Sequence, residues 1–320
     1  MLASVAWTRN LSPAWQPVTK PNGACTFTAL RLIAQIAVFA RGRGRPHTRE
    51  QTLQQIDSSH FERQRACALS SRARFEALRY GAELESAFGD SIREQRYREA
   101  ESRAVSAIRK LCWNKTYGLI ADTPAQKHFS QHANILGVWL DVIPQEQQKD
   151  VLTKSLSVSD PGFTSPVPVP EMTKATYYFR FYLARAVEHA GMGDQYVLLL
   201  KPWRDMVGLG LTTWAEQPEP TRSDSHAWSA HPNFDLLTIV AGIRPKRPGF
   251  ATVTIEPHLG SLRSVASAVP TPKGMVEVNY AARGSEVSAE ISLPGSMSGK
   301  LIWKGKTFSL HSGHQQLLLP

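Results

Sequence analysis

The sequence is poor in cysteine. It has three, Cys25, Cys67 and Cys112, and no two share a metal-ligand spacing. An odd, scattered set favours reduced thiols over a disulfide framework. Long apolar runs are also missing. The longest, Leu32 to Ala40, is interrupted by Gln35 and falls short of the roughly 20 residues that span a bilayer. No basic n-region opens the chain, so it does not read as an ordinary secretory leader. The expectations are no membrane partner and a cytoplasmic location. Acids are scarce at one end. Residues 1–73 hold ten Arg and Lys against Glu50, Asp57 and Glu62, which is +7 of the formal +10. A net charge of that sign suits a polyanion, but the remaining residues are close to balanced. The basic stretch ARGRGRPHTR also lacks the interleaved aromatics of a base-stacking surface. Nucleic acid is therefore not an expected partner.

What is present is a chain of 320 residues, long enough for two domains and a large core. Residues 1–73 are rich in Arg, Ser and Ala with little sustained periodicity, and read as an aberrant segment, a misjoined or mistranslated remnant. From Phe75 the texture is helical. Phe75, Leu78, Ala82, Leu84 and Phe88 fall near helical spacing, Gly89 is placed to end that helix, and Asp90 to cap the next, Ser91 to Leu111. The same punctuation recurs at Gly191-Met192-Gly193-Asp194, between the YYFRFYLARAVEHA helix and QYVLLLKPWRDMVGLG. Two units of helix, Gly-Asp joint and helix suggest stacked helical hairpins. Helices are also expected from Phe129 to Val142 and from Gln145 to Leu156. After Pro245 the period becomes two: ATVTIEP, MVEVNYAA, SEVSAEISL, GKLIWKG and KTFSLHS alternate apolar and polar residues, as strands of a β-sandwich do. Trp303 is the one candidate there for an exposed, carbohydrate-stacking aromatic.

The densest site chemistry lies in residues 209–232, LGLTTWAEQPEPTRSDSHAWSAHP. Trp214 and Trp228 flank Glu216. Pro218 and Pro220 prevent a helix, so Arg222, Ser223, Asp224, Ser225 and His226 sit on a loop. Flat indole faces, hydrogen-bonding side chains and one carboxylate are what a sugar site needs. The plainer alternative makes the tryptophans core residues, Glu216 a solvated loop acid and His226 a satisfied buried histidine. Upstream, His128, His132 and Asn134 are candidate metal ligands or sugar contacts. With no third ligand and no catalytic Glu beside them, packing or a subsite wall is favoured over zinc.

The order of motifs resembles the C-terminal half of bacterial α-L-rhamnosidases, inverting glycoside hydrolases built on a six-hairpin (α/α)6 barrel. The pieces are Thr212-Thr213-Trp214-Ala215-Glu216, then Ser225-His226-Ala227-Trp228-Ser229-Ala230-His231-Pro232, then Gly242-Ile243-Arg244-Pro245 and Pro248-Gly249-Phe250. Ala121-Asp122-Thr123-Pro124 and Lys127 to Asn134 match upstream, and Val269 to Gly274 downstream. The match runs from about Phe75 to about Val278. The resemblance implies a mainly α chain with a C-terminal β domain: a partial (α/α)6 barrel over 74–246 and a small β-sandwich over 247–320, after the segment 1–73. It implies that Glu216 is the general base and that Trp214, His226 and Trp228 line the sugar subsite. Asp224 either orients His226 or binds a sugar hydroxyl, and His132 adds a subsite wall. The implied partner is a rhamnose-containing glycoside or oligosaccharide, with no cofactor and no metal. The family's general acid has no counterpart here. Asp122, Glu171, Glu219 and Asp224 are the remaining carboxylates. The expectation is thus a hydrolase fragment, inactive alone. The alternative is a protein that binds carbohydrate without cleaving it.

Overall fold

The structure is a computed structural model and describes residues 68–320. The expectations for the basic stretch, for Trp7 and Trp15, and for Cys25 and Cys67 lie outside the described residues. Cys112 is buried.

Helix α1 (Ala68–Phe88) and helix α2 (Ser91–Cys112) form the first hairpin. Asp90 caps α2 by accepting from the Ile92 N–H at 2.7 Å, which satisfies one of the amides a helix start leaves open. Leu78, Ala82, Ile108 and Cys112 face inward. Arg79 ties the hairpin to the next unit by donating to the Leu140 carbonyl at 2.9 Å. Two short strands, β1 (Trp113–Asn114) and β2 (Leu119–Ile120), close an antiparallel turn after α2.

Helix α3 covers Gln131–Trp139, shorter at both ends than expected. Phe129–Ser130 is instead a strand, β3, pairing in parallel with β4 (Met172–Thr173). Ser130 is the extended N-cap and accepts from the Ala133 N–H. At the other end Asp141 has φ +56°, a left-handed conformation that stops the helix. Asn134, a candidate ligand in the sequence, is fully buried. Its amide accepts from the Ile120 N–H at 2.9 Å and donates to the Ile120 carbonyl at 3.0 Å. It serves as a strand-like partner for β2 and also donates to the Ser130 carbonyl at 3.0 Å, a structural role with no exposed atom to offer a metal or a sugar. His128 lies before β3 and is exposed, so the His128–His132 pair is not on one helix. Helix α4 covers Gln145–Leu156, and helix α5 covers Arg180–His189.

The second joint is less regular than the sequence suggests. Gly193–Leu200 is a 3-10 helix, and an α-helix, α6, resumes only at Lys201–Gly208. Pro202 explains the break. It has no N–H to donate and its ring clashes with the preceding turn, so it is tolerated only in the first turn of a new helix. A short helix, α7 (Pro232–Asp235), runs into a π-turn at Leu236–Val240. One apolar core runs from Ile108 to Val240, and Trp203 and Met206 of α6 belong to a smaller cluster beside it.

A second core begins at Ala241. Two four-stranded sheets enclose it. One has the order β11 (Lys306–Leu310), β10 (Ser298–Trp303), β6 (Thr252–Ile255), β5 (Ile243–Pro245). The other has the order β12 (Gly313–Leu319), β9 (Glu286–Leu293), β8 (Gly274–Arg283), β7 (Ser264–Thr271). Alternate residues Val276, Val278 and Tyr280 of β8 and Ala289, Ile291 and Leu293 of β9 fill the space between the sheets, as the period of two requires. Trp303 is one of these core residues. It is 7% exposed and its indole N–H donates to the Pro320 carbonyl at 2.7 Å. The less favoured reading of the sandwich as a carbohydrate-binding module, against scaffolding, loses its one candidate: position 303 falls on the inward phase of β10.

Helices and sheets are fastened to one another at Gly242. Its φ is +74°, and a Cβ there would lie 2.2 Å from the Glu256 carbonyl carbon. Only glycine allows that approach. Beside it Arg244 bridges Glu188 of α5 and Glu256 (3.0 Å to the latter). The Tyr280 hydroxyl donates to the Ala241 carbonyl at 3.2 Å.

Candidate functional site

The loop between α6 and α7 folds back on itself in two strand-like lengths. The Glu216 N–H donates to the Ser223 carbonyl at 2.9 Å and the His226 N–H to the Trp214 carbonyl at 2.8 Å. The Thr213 hydroxyl donates to the Asp224 carbonyl. These bonds bring Glu216 and His226 side by side although ten residues separate them in sequence. The prolines at 218 and 220 shape the exposed tip.

Glu216 is held by Arg222, whose Nε donates to Oε2 at 2.9 Å and whose Nη2 donates to Oε1. This bidentate pairing is the strong form of the interaction. The Glu216 side chain is 10% exposed and Arg222 is 77% exposed. The carboxylate therefore lies shallow, under the guanidinium rather than under the core. Arg222 first, then His226, holds its pKa below the usual carboxylate range, so the group is ionised at neutral pH. His226 Nε2 lies 3.9 Å from Oε1. Its other nitrogen, Nδ1, is buried without a hydrogen-bond partner, so the Asp224 carboxylate does not orient this ring. Asp224 itself is exposed.

Aromatic rings continue from His226. Its ring packs on Trp228 at 4.5 Å between centroids, Trp228 meets Tyr178 edge-on at 5.7 Å, and Tyr178 meets Tyr182 at 5.9 Å. Tyr182 packs on Phe179 at 5.1 Å, and Phe179 on His132 at 4.3 Å. Trp228 and Tyr178 are 46% and 44% exposed, large values for residues of this size. Burial holds the His132 pKa below the usual histidine value, against the opposing charge of Asp122. His132 reaches Glu216 only through this line of rings. Trp214 is half-buried and packs into a small cluster with Trp203, Met206 and Ala215. Its backbone carbonyl anchors His226.

The sequence reading missed what fixes the Trp228 segment. Asp235 is fully buried. It accepts from Arg185 of α5, from the Tyr196 hydroxyl at 3.0 Å, and pairs with His231 Nδ1 at 2.7 Å. Trp203 adds a bond from its indole N–H to the Ser229 carbonyl at 2.8 Å. The His231–Asp235 spacing of four, on a helix opened by Pro232, was the available signal. Among the four carboxylates considered for a second catalytic role, Asp122 accepts from the Ser130 hydroxyl and Glu219 from the Thr221 N–H. Glu171 and Asp224 are exposed. Among the described residues no group of three or more His, Cys, Asp or Glu is placed to hold a metal, and no helix is long and apolar enough to cross a membrane.

Residues 242–316 match the family described as the bacterial alpha-L-rhamnosidase C-terminal domain. The chain is similar to the C-terminal part of the bacterial α-L-rhamnosidases. An alpha-L-rhamnosidase of Alteromonas sp. (strain LOR) is 23% identical over 247 residues, which is 72% of this chain and 25% of that protein. The fold is shared with the alpha-L-rhamnosidase of Aspergillus terreus, at a TM-score of 0.64 and 18% identity over 79% of this chain and 30% of that one. It is also shared with the Streptomyces avermitilis alpha-L-rhamnosidase solved with L-rhamnose, at 0.61 and 16% identity over 79% and 27%. The rhamnosidase-like chain thus spans about a quarter to a third of the length of these relatives, all glycoside hydrolases. The β-sandwich carries the family match, and the longer alignments extend beyond it.

Proposed function

We propose that this chain is part of a rhamnosidase-like glycoside hydrolase in which Glu216 is the general base and Trp228, Tyr178, His226 and Trp214 line the subsite for a terminal α-L-rhamnosyl group, with Asp224 and His132 at its margins. The helices over 74–246 are then part of an (α/α)6 barrel, and 247–320 its β-sandwich. The observation that carries this reading is the juxtaposition of an ionised, shallow carboxylate with two half-exposed aromatic rings, Trp228 and Tyr178. The methyl-bearing face of a 6-deoxy sugar suits such rings, and an ionised carboxylate is the form that takes a proton from water. Inversion needs a second, protonated carboxyl about 6.5–9.5 Å away to serve the leaving oxygen. The carboxylates considered for it are either bonded to their own neighbours or exposed. By itself the 320-residue chain is therefore expected to bind rhamnosides without hydrolysing them.

The test is p-nitrophenyl α-L-rhamnoside with the purified chain. No nitrophenol release, together with saturable binding that Trp228→Ala abolishes, is the expected result. Release that disappears in Glu216→Gln would overturn the inactivity, and absence of binding by folded protein would overturn the subsite. A second reading, a carbohydrate-binding protein with no catalytic role, is favoured by one feature: Arg222 occupies both oxygens of Glu216. Joining the chain to a barrel segment that supplies an acid separates the two. Turnover that depends on Glu216 excludes the purely binding protein.

A further inference from the structure

A cleft of about 320 Å³ lies where the helices meet the sheets, lined from α5 by Arg185, Glu188 and His189. No residue of the 209–232 loop lines it, although Trp139 packs on Tyr182 of the aromatic row. Trp139, from the last turn of α3, forms one wall together with His189 and Glu188 from the last turn of α5. Arg244 of β5, Glu256 and His258 complete the lining, with Arg244 bonded to Glu188. Two of the lining groups are cationic (Arg185, Arg244) and two anionic (Glu188, Glu256), so the cleft carries little net charge. A polyanion or a lone cation finds no excess of opposite charge there.

The polar walls are already fixed. Arg244 is bonded to Glu188 and Glu256, His189 Nε2 lies 2.6 Å from an Asp141 oxygen, and His258 Nδ1 lies 3.9 Å from Asp194. Gly193 is needed for this arrangement, because a Cβ there would come within 2.5 Å of the His258 ring. Side chains pinned in this way lose little rotamer freedom when a ligand arrives. Their unused lone pairs and N–H groups offer both donors and acceptors. Trp139 supplies a flat apolar surface, itself braced by Tyr182 at 5.5 Å. The volume is at the lower end of the roughly 300–1,000 Å³ that small-molecule sites occupy. An indole beside a balanced set of donors and acceptors suits a neutral polyol ring rather than a charged or purely apolar ligand.

We infer that this junction cleft is a second saccharide-binding site, taking one or two neutral sugar rings against Trp139, independent of the subsite at Glu216. It recruits both parts of the chain, so a sugar held there also bridges helices and sandwich. Burial raises the Glu188 pKa, with Arg244 and Arg185 opposing. Paired with Arg244, its carboxylate presents acceptor lone pairs to a hydroxyl.

The test is an NMR titration of the full chain labelled at the tryptophan indole nitrogens, with methyl α-L-rhamnoside and with the neutral disaccharide rutinose as probes. The Trp139 resonance is assigned by its loss in Trp139→Phe. The expected result is a saturable shift of that resonance that persists in Trp228→Ala, with affinity weakened about tenfold in Glu256→Gln. A Trp139 resonance unmoved by either sugar at 100-fold excess in folded protein would overturn the inference. So would a shift that vanishes in Trp228→Ala, since it would then be an echo of the first site.

Discussion

Asp235→Asn is the substitution that tests most directly how the candidate site is held. The change keeps the shape of a fully buried side chain and removes its charge. Arg185, only 14% exposed, then loses its counter-charge while its Nε is already buried without a partner. The oxygen that receives both Tyr196 and His231 has to be shared with an amide NH₂. Breaking one side of a buried ion pair costs about 3–5 kcal/mol. The lower end, about 3 kcal/mol, applies here because Arg185 keeps some solvent and the asparagine oxygen keeps one bond. For a folded unit of this size that is a fall in Tm of roughly 6–12 °C. The assay is urea denaturation followed by circular dichroism, run as a double-mutant cycle with Arg185→Met. The expected coupling is at least about 1.5 kcal/mol, because the two groups share one interaction. A single-mutant loss under about 1 kcal/mol, or strict additivity, would refute the claim that this carboxylate is the anchor of the Trp228 segment.

Gly242→Ala combines a left-handed backbone with a Cβ 2.2 Å from the Glu256 backbone. It is expected to cost at least about 2 kcal/mol, whereas Gly295→Ala, which meets nothing within 4 Å, serves as the near-neutral control; equal urea midpoints would sink the junction argument. His132 is buried with a lowered pKa, so in acid its unfolded form takes up a proton before the folded one does. Its contribution to stability is present above about pH 6.5 and is lost as the pH falls from there through the depressed folded value. His132→Gln should therefore flatten the difference in urea midpoint between pH 7.5 and pH 5.5, and an unchanged difference would contradict it.

Much of the fold was legible because local rules and tertiary packing agree. Asp90 caps its helix as its position implies, and α4 covers the run of residues expected of it. The alternating strands β8 and β9 bury the residues that their period selects. The failures occur where a long-range contact outweighs a local pattern. Phe129–Ser130 is drawn out of the helix because its backbone pairs with Met172–Thr173, over forty residues away. The strand β7 alternates only between exposed and half-buried residues and buries none fully, and β12 mixes Gly, His and Gln with its leucines. Neither announces itself by composition. Trp303 was open to either reading for a different reason. An indole in an alternating strand fits either face, and only the sheet register, with Trp303 opposite Lys306, fixes which.

For the candidate site, sequence proximity was a good guide to the loop and a poor guide to its support. Glu216, His226 and Trp228 lie within thirteen residues, so their common loop could be foreseen. The groups that decide their geometry come from elsewhere: Tyr178 from before α5, Arg185 from within it, and Tyr196 from the 3-10 helix. Arg222 shows the limit most clearly. Its place six residues after Glu216 carries no periodic signal, because the intervening chain is a proline-rich turn. Only folding back of that turn lets the guanidinium grip the carboxylate. A carboxylate so engaged is ionised but not free. For Glu216 to act on water, Arg222 has to turn aside or accept another partner, and its high exposure puts few contacts in the way. Any activity supported by Glu216 is therefore set by how readily the Arg222 pair opens, as well as by the carboxylate's own basicity.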